Sequence, residues 1–365
     1  MSSRDKEQLK DELSDLDNIE DIDEGDAEDS TASDLYSITS FGADLDAETL
    51  VKRLKKGQYY VPEFQRQFVW SKIEASKFIE SLLLGLPVPG IFLYKEDEGP
   101  KHLVIDGQQR LKSLLFYFSG LFRETKFRLA GLKTKWNGLS IDELDEDDRT
   151  RLECAIVHAT IFKQDAPVQN MDSVYEVFER INTGGMKLSP QEIRSCVAYG
   201  DFNTLLFSLN KNVLWREIYG KESTRLKDIE LILRFFAFRK DRENYKSPMK
   251  KFLTDFMVAN RNPDDAECSI LNGHWNEVIE KLHDALGNRV FRPSGRAMNV
   301  AFFDSFSVAT SLKLSENSAL TSDEIKTAYR NLEKNKEFQL SILSGTATSS
   351  SVTSRFDLAL ASYEE

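Results

Sequence analysis

The chain holds 365 residues, 41% of them apolar and including 24 Phe, enough for a sizeable core and, by length, for about two domains. Its net charge of −12 misleads about partners, because residues 1–34 hold 14 acidic and 3 basic side chains whereas residues 35–365 hold 46 and 45, a net of −1. Three scattered cysteines, Cys154, Cys196 and Cys268, exclude a disulfide framework and a cysteine-rich zinc site; no apolar run reaches the ~18 residues of a membrane span, and the acidic start is the opposite of a signal peptide, so a cytoplasmic protein is expected.

Residues 1–34 contain no aromatic side chain and cannot bury enough surface to offset ordering entropy, so they read as a disordered acidic tail. Such a tail acts as a solubilising arm or as a nucleic-acid mimic shielding a basic face. Asp46 to Lys56 reads as a helix closed by Gly57, and Gln58 to Val61 as a short strand. Ser71-Lys72-Ile73-Glu74 is a capping box opening a helix that runs to Gly85, with Phe78, Ile79, Leu82 and Leu83 on its apolar side. Strands follow at Ile91–Tyr94, His102–Ile105 and Ala155–Phe162, and a helix at Ser173–Ile181 ends at Gly184-Gly185. Ser189-Pro190-Gln191-Glu192 starts another helix, with proline at its first position. Helical patterns then cover Leu226–Arg239, Lys250–Asn260, Ala266–Leu286, Asn299–Lys313 and Asp323–Lys336. Strands before residue 165 and helices after it predict an α+β fold: a core with a small mixed sheet over 35–165, then a mostly α-helical part over 166–365 that completes the pocket.

Three segments carry candidate chemistry. In Leu103-Val104-Ile105-Asp106-Gly107-Gln108-Gln109-Arg110 a strand meets a tight turn and a helix N-terminus. That junction aims backbone N–H groups at whatever sits above Gly107, where the missing Cβ lets an anion approach. Asp106 offers a carboxylate to a metal or a water, and Arg110 a fork shaped for phosphate. The plainer alternative is an ordinary capped helix start. Upstream, Val61 to Trp70 places Gln65 and Arg66 among Phe64, Phe68 and Trp70, so Arg66 reads as a second phosphate clamp or as a surface arginine stacked on Trp70. Downstream, Phe178 to Gly185 sets Arg180, Asn182 and Thr183 beside two glycines, at what is otherwise a glycine-capped helix end.

The order Q-R-x-F-V-W, S-L-L-L-G-L-P-V-P, I-F-L-Y, D-G-Q-Q-R-L, F-x-R-I-N-T-G-G and L-S-P-Q-E-I-R resembles the GmrSD N-terminal domain family of the ParB/sulfiredoxin-like superfamily. The resemblance covers roughly residues 36 to 310, with a weaker echo in Arg296 to Phe303. That family occurs in modification-dependent restriction enzymes and phage-defence proteins, where nucleoside triphosphate hydrolysis gates an attached nuclease. The resemblance implies a catalytic role for Asp106, Gln109 and Arg110, and Mg²⁺ held at Asp106 through water. It also implies nucleotide binding by Gln65, Arg66, Gly107 and Gln108, with Arg180, Asn182 and Thr183 at the rim.

One departure stands out. The HNH-type nuclease of multidomain members needs paired His and Asn/Asp around a divalent metal, and this chain has only His102, His158, His274 and His283. The expectation is a nucleoside triphosphatase that switches a separate nuclease or effector protein, docked through the Phe-rich helical half. The alternatives are a ParB-like DNA-binding module set by nucleotide and a non-hydrolysing scaffold; a homo-oligomer fits any of them. Lys221 to Arg261 holds 11 basic and 6 acidic residues, a candidate DNA face, although its interleaved Phe235, Phe236, Phe238, Phe252 and Phe256 are more often core.

Overall fold

The computed structural model describes residues 37–61, 68–96, 99–166, 175, 177, 180–181, 188–293, 295 and 297–364. Contacts divide the chain into a sheet-containing unit, Asp34–Lys187, and a helical unit that includes Leu188–Glu365. The boundary falls about twenty residues after the last strand, just ahead of the capping box at Ser189. The acidic tail expected at 1–34 lies outside the described residues.

In the sheet unit, β1 (Ser37–Asp46), β2 (Tyr59–Tyr60), β3 (Ile91–Lys95), β4 (His102–Asp106) and β7 (Ile156–Ala166) form one sheet in the order β1-β7-β3-β4-β2. The pairs β1–β7 and β3–β4 are antiparallel, while β7–β3 and β4–β2 are parallel. A separate hairpin joins β5 (Leu121–Phe122) to β6 (Thr125–Lys126). The sheet is mixed, as expected, but β1 and the hairpin were not anticipated, and β7 continues four residues past Phe162.

Helices α1 (Ala47–Lys55), α2 (Lys72–Leu83), α3 (Gln108–Ser119) and α4 (Glu146–Glu153) join the sheet in one core. Leu50, Ile79, Leu111 and Leu114 pack there with Ile91, Leu93, Val104 and Ala159, all essentially inaccessible to solvent. Strand alternation puts His102, Val104 and Asp106 on the same side of β4, so the face that builds the core also presents a side chain at each strand end. Asp46 caps α1, Ser71 and Glu74 form a reciprocal capping box on α2, and Asp145 caps α4. Each cap satisfies backbone N–H groups and is worth about 1 kcal/mol.

The helical unit runs through α5 (Pro190–Val197), α6 (Asp201–Leu209), α7 (Val213–Tyr219), α8 (Lys227–Asp241), α9 (Met249–Ala259), α10 (Asp265–Leu286), α11 (Val300–Glu316), α12 (Ser322–Lys334), α13 (Lys336–Ser341) and α14 (Ser349–Ala361). Helix α11 is buried continuously from Val300 to Ser311. Its Ser305, Ser307 and Thr310 return their hydroxyls to carbonyls one turn back, so they cost little inside the core. Asn299, in the weaker echo of the family pattern, caps α11 and also reaches the Ile342 carbonyl, which makes it a structural residue.

The Phe-rich pattern is this unit's own core. Phe235, Phe236, Phe238, Phe252 and Phe256 are all buried: Phe235 and Phe236 pack on Trp275, Phe256 on Phe202, and Phe238 on Phe252 and Phe356. These phenylalanines serve the unit's own core, while Val213, Ile270, Leu340 and Leu343 remain exposed.

Candidate functional site

Strand β4 ends at Asp106, and α3 starts at Gln108 with Gly107 between them as N-cap residue. Gly107 has φ +101°, a region that strains any residue with a side chain. A Cβ there would lie 2.4 Å from Ile91 Cγ2 and 2.9 Å from Ile91 Cβ. Glycine at this position thus serves the close packing of the turn on β3; the direction in which a side chain would project is filled by Ile91 and is not an open path for an anion. Gly107→Ala is expected to lower stability by about 2 kcal/mol, combining strain with overpacking, and urea unfolding measures it.

Having no side chain, Gly107 leaves the N-terminus of α3 without a side-chain cap, unlike α1, α2 and α4. Asp106 does not cap the helix. Its Oδ2 instead accepts a hydrogen bond from Arg110 Nη2 at 2.8 Å, an ion pair spaced i,i+4. The same Nη2 donates to the Gly90 carbonyl, also at 2.8 Å. The Arg110 side chain is 15% exposed and that of Asp106 47%, so the arginine is seated and the carboxylate faces out. Arg110 Nε is buried without a hydrogen-bond partner. A buried guanidinium donor left unpaired costs free energy that an acceptor atom would recover.

Gly90 was not singled out in the sequence. Its Cβ would meet the His158 carbonyl at 2.8 Å, so the approach of this segment to β7 also requires glycine, and it is this packing that brings the Gly90 carbonyl to Arg110. The run Pro-Val-Pro-Gly before β3 was the available signal.

Gln109, for which the family resemblance implied a catalytic role, is held by the backbone of the upstream segment. Its Oε1 accepts from the backbone N–H of Val69 at 3.1 Å and of Trp70 at 3.2 Å. The amide thereby pins the end of the Q-R-x-F-V-W segment to the first turn of α3. Phe68 packs edge-on against Phe116 and Phe122, and Trp70 against Phe78. Two segments forty residues apart are thus joined at the site. Gln108 is half-buried in that first turn. Gln65, Arg66, Asn182 and Thr183 lie outside the described residues; Arg180 is helical and exposed.

His102 and His158 lie on β4 and β7, and His274 and His283 on α10. His158 pairs with Asp44 across β1–β7, and His102 Nδ1 contacts the Pro100 carbonyl. On α10, His283 pairs with Glu217, while burial and the Arg239 charge pull His274 below the usual imidazole value. Among the described residues no three His, Cys, Asp or Glu side chains are grouped to hold a metal ion, and no helix is long and apolar enough to cross a membrane.

Part of the basic content of 221–261 is turned inward. Arg234 is buried on Asp304 and Arg225 pairs with buried Glu192, whereas Lys240 and Lys251 form exposed pairs with Glu267 and Asp255.

An uncharacterized protein of Methanocaldococcus jannaschii is 33% identical to this chain over 91 residues, covering 18% of this chain and 16% of the relative. Residues 47–198 match the family described as GmrSD restriction endonuclease, N-terminal domain. That stretch contains α1 to α4, β2 to β7, the Asp106–Arg110 turn and α5. Over residues 47–198 this chain is therefore similar to the GmrSD restriction endonuclease N-terminal domain.

Proposed function

We propose that this domain binds a nucleoside triphosphate at the Asp106–Arg110 turn and hydrolyses it, acting as the sensor or switch of a restriction or anti-phage system. The observation that carries the reading is Arg110, held beside Asp106 at an uncapped helix N-terminus with its Nε buried and unpartnered. A phosphate oxygen is the acceptor such a fork favours, and the positive end of the α3 dipole adds to the attraction. Arg110 then stabilises charge on the transferring phosphoryl group, and the outward-facing Asp106 carboxylate orients the attacking water. Gln109 is a positioning residue that fixes the neighbouring segment against the turn.

The donor set fits a hydrated Mg²⁺ arriving with the triphosphate, because one carboxylate stands at the site and the Oδ1 atom of Asp106 is not engaged by Arg110. Such an ion would neutralise phosphate charge. The test is phosphate release from ATP, GTP, CTP and UTP, each with and without DNA. Release from at least one supports the reading; no release and no binding at millimolar nucleotide from any of the four overturns it.

Coupling to a separate nuclease or effector is part of the same proposal. The chain alone is expected to leave modified and unmodified plasmid intact with Mg²⁺ or Mn²⁺ and nucleotide present. Cleavage that disappears in His274→Ala or His283→Ala would reverse this and place catalysis on α10.

A further inference from the structure

An apolar ledge adjoins the Asp106–Arg110 turn. Arg110 Nη2 holds the Gly90 carbonyl at 2.8 Å, and the residues leading to Gly90 are Leu86, Pro87, Val88 and Pro89. A chain of that length spans at most ~14 Å even when fully extended. The whole segment therefore lies within reach of the sugar and base of a nucleotide whose phosphates meet Arg110.

The ledge is fixed at both ends. Where α2 closes, the Gly85 N–H donates to the Leu82 carbonyl at 3.0 Å and the Leu86 N–H to the Ser81 carbonyl at 2.9 Å. That pair of bonds is usually accompanied by an apolar contact from the second residue beyond the helix back onto its last turn. Leu86 is that second residue, but the positions it would meet are Glu80 and Ser81, neither of them apolar. Its side chain is accordingly 52% exposed, and that of Leu84 49%. Val88 packs into the core of the sheet unit, while Pro87 and Pro89 on either side of it are exposed. Two proline rings restrict the backbone, and at the far end Gly90 is seated on β7 and clipped to Arg110. A leucine left half in water on so constrained a backbone gains from an apolar ligand surface, with little freedom left to lose on binding.

We infer that the Leu86–Pro89 ledge seats the nucleobase of the triphosphate whose phosphates are held at Arg110. The inference rests on the nucleotide reading of that turn and extends it from phosphate to nucleoside. The face of the base packs on the Leu86 side chain and the exposed proline rings, so the ledge is what tells a nucleoside triphosphate from bare polyphosphate. Contact of this kind is open to any base, because each has a π-face.

The experiment titrates the full chain by calorimetry with ATP, GTP, CTP, UTP and inorganic tripolyphosphate, in the wild type, Leu86→Ser and Leu86→Met. At least one nucleoside triphosphate should bind ~10-fold or more tightly than tripolyphosphate. Leu86→Ser replaces a half-exposed side chain and should fold normally. It should weaken that nucleotide at least ~5-fold, the scale of returning half a leucine to water, and leave tripolyphosphate unchanged. Leu86→Met keeps an apolar side chain of similar volume and should restore binding. Raised salt should weaken tripolyphosphate but leave the Leu86→Ser loss in place, because an apolar contact is not screened. Equal binding of all five probes overturns the ledge and keeps the turn. So does an unchanged nucleotide affinity in Leu86→Ser, the result expected if the leucine serves a protein partner instead. Equal losses for nucleotide and tripolyphosphate make Leu86 structural and overturn it as well; no binding of any probe removes the nucleotide reading and the ledge together.

Discussion

Arg110→Ala is expected to lower phosphate release by at least ~100-fold, the scale of losing one preorganised electrostatic stabiliser. The structure adds a second consequence. Because Arg110 also ties the Gly90 carbonyl to the end of β4, removing it should cost about 1–3 kcal/mol of stability as well. The two effects separate with Arg110→Lys, which keeps the charge and can donate to Gly90 and Asp106 from one nitrogen, as Nη2 does, but presents no planar fork to a phosphate. Asp106→Asn separates them from the other side, since its carboxylate is half-exposed and its loss disturbs little packing. Both variants should remain folded by circular dichroism at 20–25 °C, roughly the reference temperature of these energies, and both should lose most turnover. Gln109→Ala should act differently: by releasing the Val69 and Trp70 N–H groups it should weaken nucleotide binding more than the chemical step. Full turnover in Arg110→Lys and Asp106→Asn alike would remove this turn from the chemistry.

Asp304→Ala should be the most damaging single change in the helical unit, costing about 3–5 kcal/mol. Asp304 is fully buried on α11. It accepts from Arg234 Nη2 at 2.6 Å and Nε at 3.0 Å, and lies 3.5 Å from Arg355 Nη2. Arg234 lies 3.8 Å from Glu230, which in turn pairs with Arg194 at 2.8 Å. Five buried side chains from α5, α8, α11 and α14 thus form one chain of three cations and two anions. Burial pulls Arg355 down to about 10, opposed mainly by Asp304 and also by Tyr245, so alanine would take from two buried guanidinium groups the carboxylate they share. Urea unfolding of Asp304→Ala, Asp304→Asn and the pair Asp304→Leu with Arg234→Met should rank the first as least stable. The apolar pair should recover much of the loss, because a volume-matched apolar replacement avoids the desolvation of charge. A loss below about 1 kcal/mol for Asp304→Ala would mean that the arginines find other partners.

The sequence by itself determined the elements whose signals are local. The capping boxes at Ser71 and Ser189 were legible because cap and helix are neighbours in the chain, and both helices begin there. Strands β3 and β4 and the long helices appeared within a few residues of their expected ends, since burial of one face imposes a period. The junction of β4 with α3 was equally plain. Strand β1 was not: nearly all of its side chains are exposed, so no apolar alternation marks it, and only its pairing with β7 makes it a strand.

The roles within the motif were decided by tertiary structure alone. Gly107 reads from sequence as room for a phosphate, yet Ile91 of β3 occupies that room. Gln109 reads as chemistry, yet it holds the amides of Val69 and Trp70. Arg234 reads as part of a candidate DNA face, yet it is buried on the Asp304 carboxylate of a distant helix. In each case a residue's local pattern records its spacing, whereas its role is set by the neighbour that packing places against it. Sequence spacing determines which residues share a turn; only the folded chain decides whether a polar atom meets water, a ligand or another part of the protein.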